Sequence, residues 1–199
     1  MLVEYIWLDG HSNIRSKTRV LPENSLEIPE WNYDGSSCYQ ASGENSEVIL
    51  KPQTIVPCPF RKGNSKLVLC DTYNPNNTPH NSNIRYKAKS LFDQKPQMEP
   101  WYGLEQEYFI IDNKTQLPLG VYDINDISQG QYYCSNGGNN AFGRKIAEVH
   151  LQMCLCAGLK ISGINAEVAP GQWEFQIGPA IGIEAGDHLW LARFILNRL

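Results

Sequence analysis

The 199-residue sequence lacks the features that mark membrane, nucleic-acid-binding and secreted proteins. No apolar run approaches the roughly 18 residues that cross a bilayer, and the start has no basic region followed by a long apolar stretch. A net charge of -4 and a pI near 5.6 offer no basic surface to nucleic acid. We therefore predict a cytoplasmic protein without membrane or nucleic-acid partners.

Disulfide-framework spacing, internal repeats and low-complexity tracts are also missing. The chain has six cysteines, and their apolar or turn surroundings predict free, mostly buried thiols. Cys154 and Cys156 lie two apart in a helical pattern. Residues two apart on a helix face different directions, so these two cysteines make a poor metal pair.

Four glutamates in two short strand-like segments are the most informative residues present. Residues two apart in a strand share a face, so Glu105 and Glu107 point the same way. Residues 169–172 have the composition of a four-residue hairpin loop, which pairs Val168 with Trp173 and sets Glu167 opposite Glu174.

If these two faces meet, like charges about 6 Å apart repel by roughly 3 kcal/mol per pair at an effective dielectric of about 20. Such a group of carboxylates indicates a cation, and all-oxygen ligation favours Mg²⁺ or Mn²⁺ over zinc. The alternative is the ordinary solvated face of an amphipathic strand.

The pattern of strands, turns and helices predicts an α+β chain of two domains. Strands at 2–8 and 14–20 are joined through the hairpin dipeptide Asp9-Gly10. A Pro- and Asn-rich stretch at 71–79 marks a boundary, which divides the chain into domains 1–80 and 81–199. Further strands are predicted at 47–50, 66–70 and 104–111, and helices at 82–92, 141–158 and 183–199. The last helix has no Gly, Pro or cap at its end, so we expect the chain to be cut rather than finished.

Several longer motifs occur in a fixed order along the chain. They are Trp31-Asn32-Tyr33-Asp34-Gly35-Ser36-Ser37, Trp101-Tyr102-Gly103-Leu104-Glu105-Gln106-Glu107-Tyr108, Asn165-Ala166-Glu167-Val168 and Gln172-Trp173-Glu174-Phe175-Gln176-Ile177-Gly178-Pro179. Together they resemble glutamine synthetase of the eukaryotic type, and the resemblance covers nearly the whole chain. It implies a small N-terminal β-grasp-like domain followed by an incomplete catalytic domain, a curved antiparallel sheet with helices, truncated before its C-terminal part.

The activity that this resemblance implies is ATP-dependent ligation of ammonia to L-glutamate through γ-glutamyl phosphate, in glutamine biosynthesis. Charge on the transferred phosphoryl group is neutralised by divalent ions in such reactions. The implied cofactors are therefore ATP and Mg²⁺ or Mn²⁺. The resemblance also implies a homo-oligomer, a decamer, with sites between neighbouring subunits.

Individual site residues follow from the same resemblance. Glu107, Glu167 and Glu174 would surround one divalent ion, and Glu105 would belong to a second. Glu105 and Glu174 are thereby catalytic candidates, together with Asp34, which would bind ammonium and help remove its proton across a subunit boundary. The alternative for Asp34 is an Asp that starts a Gly-Ser-Ser turn. The residues expected to border the nucleotide are Trp101, Glu105, Glu174, Phe175, Gln176, Ile177, Gly178 and Pro179.

Some features depart from the family pattern. The segment 120–131 lacks the prolines expected there, and Cys58 stands where an Asp usually precedes Pro-Phe-Arg. The family's second metal site and its phosphate contacts also use a His, a Glu and arginines from segments beyond this length. We therefore expect residues 1–199 alone to be inactive. The alternatives are a catalytically dead structural or regulatory subunit and a related ligase acting on another amine.

Overall fold

The computed structural model describes residues 1–123, 125 and 129–199. They form two compact units, Met1–Pro100 with Cys156–Gly158, and Trp101–Leu155 with Leu159–Leu199. The α+β class is as predicted, while the domain boundary between 80 and 81 stays a prediction. The elements are β1 (Leu2–Leu8), β2 (Ile14–Val20), β3 (Trp31–Asp34), β4 (Glu47–Pro57), β5 (Lys66–Tyr73), α1 (Ile84–Phe92), β6 (Trp101–Phe109), α2 (Arg144–Cys156), β7 (Ile161–Ala166), β8 (Gln172–Ile181) and α3 (Ile183–Arg198).

The first unit contains a five-stranded mixed sheet in the order β2-β1-β5-β4-β3. β1 runs parallel to β5, and its pairing with β2 is antiparallel. A strand covered on both sides must be apolar almost throughout, and the interior of β1 is buried from Val3 to Trp7. Its core includes Tyr5, Leu50 and Val68.

The turn between β1 and β2 is built on the predicted Asp9-Gly10 pair. Asp9 Oδ1 accepts hydrogen bonds of 2.9 Å from the backbone N–H groups of His11 and Asn13. A Cβ at Gly10 would lie 2.2 Å from the carbonyl oxygen of Tyr39. Only glycine fits that approach, so the dipeptide sets both the turn and its packing.

Buried carboxylates in the first unit are paired with arginines. Arg61 lies 2.7 Å from Glu4, and Arg15 lies 2.8 Å from Asp9. Removing one partner of such a pair leaves an uncompensated buried charge, which is strongly destabilising. Arg61 therefore acts as a structural partner of the inner strand β1.

The second unit is built on a three-stranded antiparallel sheet in the order β6-β8-β7. Alternate residues of the central strand, Trp173, Phe175 and Ile177, are almost fully buried on one face. Helix α3 covers this face. Its Arg193 Nε donates a 2.6 Å hydrogen bond to Gln106 Oε1 on the same face of β6. The intervening residues of β8 lie on the opposite face, away from α3.

The hairpin between β7 and β8 corrects the predicted pairing. Ala166 pairs with Trp173, and the backbone N–H of Glu167 donates to the carbonyl of Gln172. The loop is therefore 168–171, and Asn165 rather than Glu167 lies opposite Glu174. Both pairings put the same residues on each face, so alternation alone could not distinguish them. Gly171 occupies the last loop position with φ +67, which that position requires.

Element positions agree closely with the sequence patterns elsewhere. The strands predicted at 2–8 and 14–20 are confirmed, and α1, α2 and α3 fall inside the predicted helices. All six cysteines are free, and four of them are buried, as predicted. Within the described residues, no helix is long and apolar enough to cross a bilayer. The departure at 120–131 falls partly on residues 124 and 126–128, which lie outside the described residues.

Candidate carboxylate site

The candidate site is the face of the second sheet that α3 does not cover. Cross-strand pairing places Glu107 directly opposite Glu174, and Glu105 opposite Gln176. On the other side of β8, Asn165 lies opposite Glu174. Pairing and strand alternation thus bring Glu105, Glu107 and Glu174 together on one face, as the sequence predicted for each strand.

Glu167 reaches the same face from just beyond the end of β7. Its Oε1 accepts a 3.0 Å hydrogen bond from Asn165 Nδ2, and its Oε2 accepts one of 3.0 Å from the Val168 N–H. Glu167 is two positions after Asn165, so the corrected pairing still leaves Glu167 on the polar side.

The other carboxylates differ in burial and in hydrogen-bond partners. Glu174 is buried and accepts a hydrogen bond from Gln176 Nε2. Glu107 is exposed, and its Oε2 accepts a 2.7 Å hydrogen bond from Gln172 Nε2. A neutral amide donor thus contacts each of these two carboxylates and partly offsets their mutual repulsion.

In the structure, the side chains of Glu107 and Glu174 are oriented by hydrogen bonds from these amides. Among the described residues, no group of three or more His, Cys, Asp or Glu side chains is close enough to hold a metal ion. The chemistry of the donor set nevertheless fits a hard divalent cation, because carboxylate and side-chain amide oxygens are the ligands that Mg²⁺ and Mn²⁺ prefer. Glu105, Glu107, Glu167 and Glu174 remain the predicted ligands.

Tyr133 is a neighbour of this face that the sequence did not single out. The pKa of its phenol is raised, chiefly by adjacent Cys134 and further by the negative charges of Glu167 and Glu174. The two carboxylates therefore lie within electrostatic reach of the exposed Tyr133 ring. Only the resemblance of Tyr132-Tyr133-Cys134 to a family motif could have pointed to it.

The predicted nucleotide-bordering residues divide between the two faces of the sheet. Phe175 and Ile177 are buried on the core side, whereas Gln176 points to the carboxylates. Trp101, at the start of β6, is 71% exposed, so it is not an ordinary core tryptophan. Gly178 precedes Pro179, and a Cβ at Gly178 would lie 2.5 Å from the Tyr102 carbonyl oxygen. A nucleotide role for this segment stays a prediction.

Asp34 lies in the first unit and caps the 3-10 helix Gly35–Cys38. Its Oδ1 accepts hydrogen bonds from the Ser36 backbone at 2.9 Å and the Ser36 hydroxyl at 2.6 Å. These bonds hold the pKa of the Asp34 carboxyl below its usual value. All contacts of the turn interpretation are thus present, and the ammonium role stays a prediction.

Comparison with known proteins gives consistent results. Residues 1–75 match the family described as "Glutamine synthetase, beta-Grasp domain". The full chain is 51% identical to a putative glutamine synthetase of Acanthamoeba polyphaga mimivirus and covers 58% of that protein. The chain is thus similar to glutamine synthetases over its full length. It is also 50% identical to cytosolic isozyme 1-5 of Arabidopsis thaliana, of which it covers 58%, and to a chloroplastic glutamine synthetase of Daucus carota, of which it covers 48%.

Similarity to glutamine synthetases extends over both sheets. The β-grasp match includes all five strands of the first sheet, which end at Tyr73. The carboxylate face lies outside that match and depends on the identity that extends over the whole chain. The chain spans about half the length of the curated relatives it matches.

Proposed function

We propose that this chain contributes the β-grasp domain and the first carboxylates of a glutamine synthetase, which ligates ammonia to L-glutamate at the expense of ATP through γ-glutamyl phosphate. The observation that carries the proposal is the shared polar face, where Glu107 lies opposite Glu174 and Glu105 follows on the same strand. Identity of about half the residues to glutamine synthetases over the full chain supports it.

In this proposal, Glu107, Glu167 and Glu174 hold one Mg²⁺ or Mn²⁺ ion, and Glu105 contributes to a second. The bound ions supply neutralising charge for the transferred phosphoryl group. The chain's own task is to keep several carboxylates on one face and to orient them. The sheet supplies the spacing, and the amide side chains supply the orientation.

ATP is the proposed nucleotide, bordered by Trp101 and by the 174–179 segment. Exposure of Trp101 leaves its ring available for stacking on a base. Asp34 is the proposed ammonium-binding residue, acting in the site of a neighbouring subunit of a homo-oligomer. A decamer is the proposed assembly, and the cytoplasm is the proposed location, although plastid and cytosolic relatives are equally identical to this chain.

The second candidate is a structural or regulatory subunit without catalysis of its own. It is favoured by the departures from the family pattern in the segment 120–131.

Titration with Mn²⁺ tests the proposed metal face directly. We expect the folded chain to bind Mn²⁺ in calorimetry, and Glu174→Gln to weaken binding at least about tenfold because one ligand charge is lost. Glu148→Gln is the matched control, because Glu148 is exposed on α2 and its one ion pair among the described residues is with Arg144, at 3.5 Å. No binding by the folded chain, or equal binding by the two variants, would contradict the proposal.

A further inference from the structure

Two amide side chains connect carboxylates on the polar face. Asn165 Nδ2 donates a 3.0 Å hydrogen bond to Glu167 Oε1, while Asn165 Oδ1 accepts one of 2.7 Å from Gln176 Nε2. Gln176 Nε2 also donates to Glu174 Oε1. Asn165 and Gln176, here called the amide bridge, therefore link Glu167 to Glu174 in one continuous chain of hydrogen bonds.

Room for the amide bridge comes from a missing side chain on the neighbouring strand. Gly163 lies opposite Gln176, and a Cβ built at Gly163 would lie 2.7 Å from Gln176 Oε1. Gly163 does not have a positive φ, so its backbone conformation does not itself require glycine. The space that Gly163 leaves is therefore what permits the position of the Gln176 amide.

The bridge orients Glu174 and leaves one of its oxygens without a donor among the described residues, whereas Glu167 accepts on both oxygens, from Asn165 and from the Val168 N–H. Glu174 uses Oε1 for the bridge, and its Oε2 accepts no hydrogen bond from any described residue. Glu107, opposite Glu174, likewise uses only Oε2, for Gln172. Carboxylates held by donors on one oxygen can present the other to a cation without first losing side-chain freedom.

We propose that Asn165 is a positioning residue, which acts with Gln176 to hold the carboxylates of Glu167 and Glu174 in place for one divalent cation. This inference rests on the proposed metal face. It also gives the amide of Gln176 a role toward the carboxylates rather than toward the nucleotide. Partners of this kind, one shell outside the metal, typically contribute about 10- to 100-fold to metal affinity.

Two substitutions disturb the bridge by independent routes. Asn165→Ala removes both of its hydrogen bonds, and we expect Mn²⁺ affinity to fall about tenfold. Gly163→Ala leaves every polar group in place but forces the Gln176 amide to shift, so we expect a smaller fall in the same direction. Gly138→Ala is the matched control, because a Cβ there meets no atom of the described residues within 4 Å. Calorimetry measures the affinity, and thermal unfolding without metal shows whether each variant is folded.

The outcomes separate this inference from the function on which it rests. If the unsubstituted chain binds Mn²⁺ and Glu174→Gln weakens binding, but Asn165→Ala and Gly163→Ala bind as tightly as Gly138→Ala, the metal face stands and the role of Asn165 is wrong. Tighter binding by Asn165→Ala would also overturn it. If the unsubstituted folded chain binds no Mn²⁺, both proposals fail. If Asn165→Ala does not fold, Gly163→Ala alone decides.

Discussion

Glu174 differs from the exposed Glu105 and Glu107 on the same face because it is buried. A buried carboxylate is costly unless a donor or a cation compensates it, and Gln176 is the donor that the structure provides. Strand alternation was enough to predict which way Glu174 points. The hydrogen bond from Gln176 was not predictable, because the position of the Gln176 amide depends on Gly163 of β7 lying opposite it.

Two substitutions test the local role of Asp34 as a helix cap. Asp34→Ala removes the cap of the 3-10 helix, and we expect the unfolding temperature to fall by a few degrees. Asp34→Asn keeps a side-chain oxygen for Ser36 and should leave the unfolding temperature nearly unchanged, since Asn caps about as well as Asp. Thermal unfolding followed by circular dichroism measures both, and equal losses would argue against the cap.

At the scale of elements, helices α2 and α3 are joined by a buried histidine. His150 is fully buried, and its Nε2 lies 2.9 Å from the Ala192 carbonyl oxygen on α3. Its ring also meets the Phe175 ring edge to face, with centroids 4.8 Å apart. These are the contacts of a histidine that packs in the core.

Burial lowers the pKa of His150, although its hydrogen bond to Ala192 opposes the shift. The unfolded chain therefore takes up a proton below about pH 6.5 that the folded chain does not, so stability falls as the pH is lowered. This difference is at most about 1.4 kcal/mol per pH unit for one group. We expect His150→Gln to reduce the loss of unfolding free energy between about pH 7 and pH 5.

Urea denaturation at each pH gives the free energy of unfolding, and hence the slope of that free energy with pH. His11→Gln is the control, because His11 is an exposed residue of the β1–β2 turn. The buried His188, whose pKa is also lowered, remains in both variants and leaves part of the slope in place. A slope in His150→Gln as steep as in His11→Gln would contradict the assignment.

The two hairpins differ in how well the sequence predicts the position of their loops. Asp9-Gly10 identifies its turn because few dipeptides suit such a loop, and β1 and β2 were placed correctly. The 168–171 loop was misplaced by one residue, because Pro170 and Gly171 suit either of two adjacent loops. Packing of Ala166 with Trp173 in one core cluster distinguishes them, and that contact exists only in three dimensions.

At the scale of the whole molecule, we expect residues 1–199 expressed by themselves to have no catalytic activity. Relatives such as Arabidopsis isozyme 1-5 are longer, since this chain covers 58% of that protein. Loss of groups that stabilise charge in a phosphoryl-transfer transition state typically costs about three or more orders of magnitude in rate. We expect no γ-glutamyl hydroxamate from glutamate, ATP and hydroxylamine above the enzyme-free background.

The Arabidopsis isozyme assayed in parallel is the positive control. A metal-dependent signal from the 199-residue chain that Glu174→Ala abolishes would contradict the expectation. A gain in signal when the chain is mixed with that isozyme, beyond the isozyme alone, would favour the regulatory alternative.

Alternate residues of strand β8 point to the core and to the polar face. The core side has Trp173, Phe175 and Ile177, and the polar side has Glu174 and Gln176. Inserting or deleting a single residue there would exchange the two sides, moving the aromatic rings to the polar face and Glu174 into the apolar core. Substitutions alter one side at a time, whereas a change of length disrupts both at once. Sequence divergence within this strand should therefore proceed by replacement, with gaps confined to the loops at its ends.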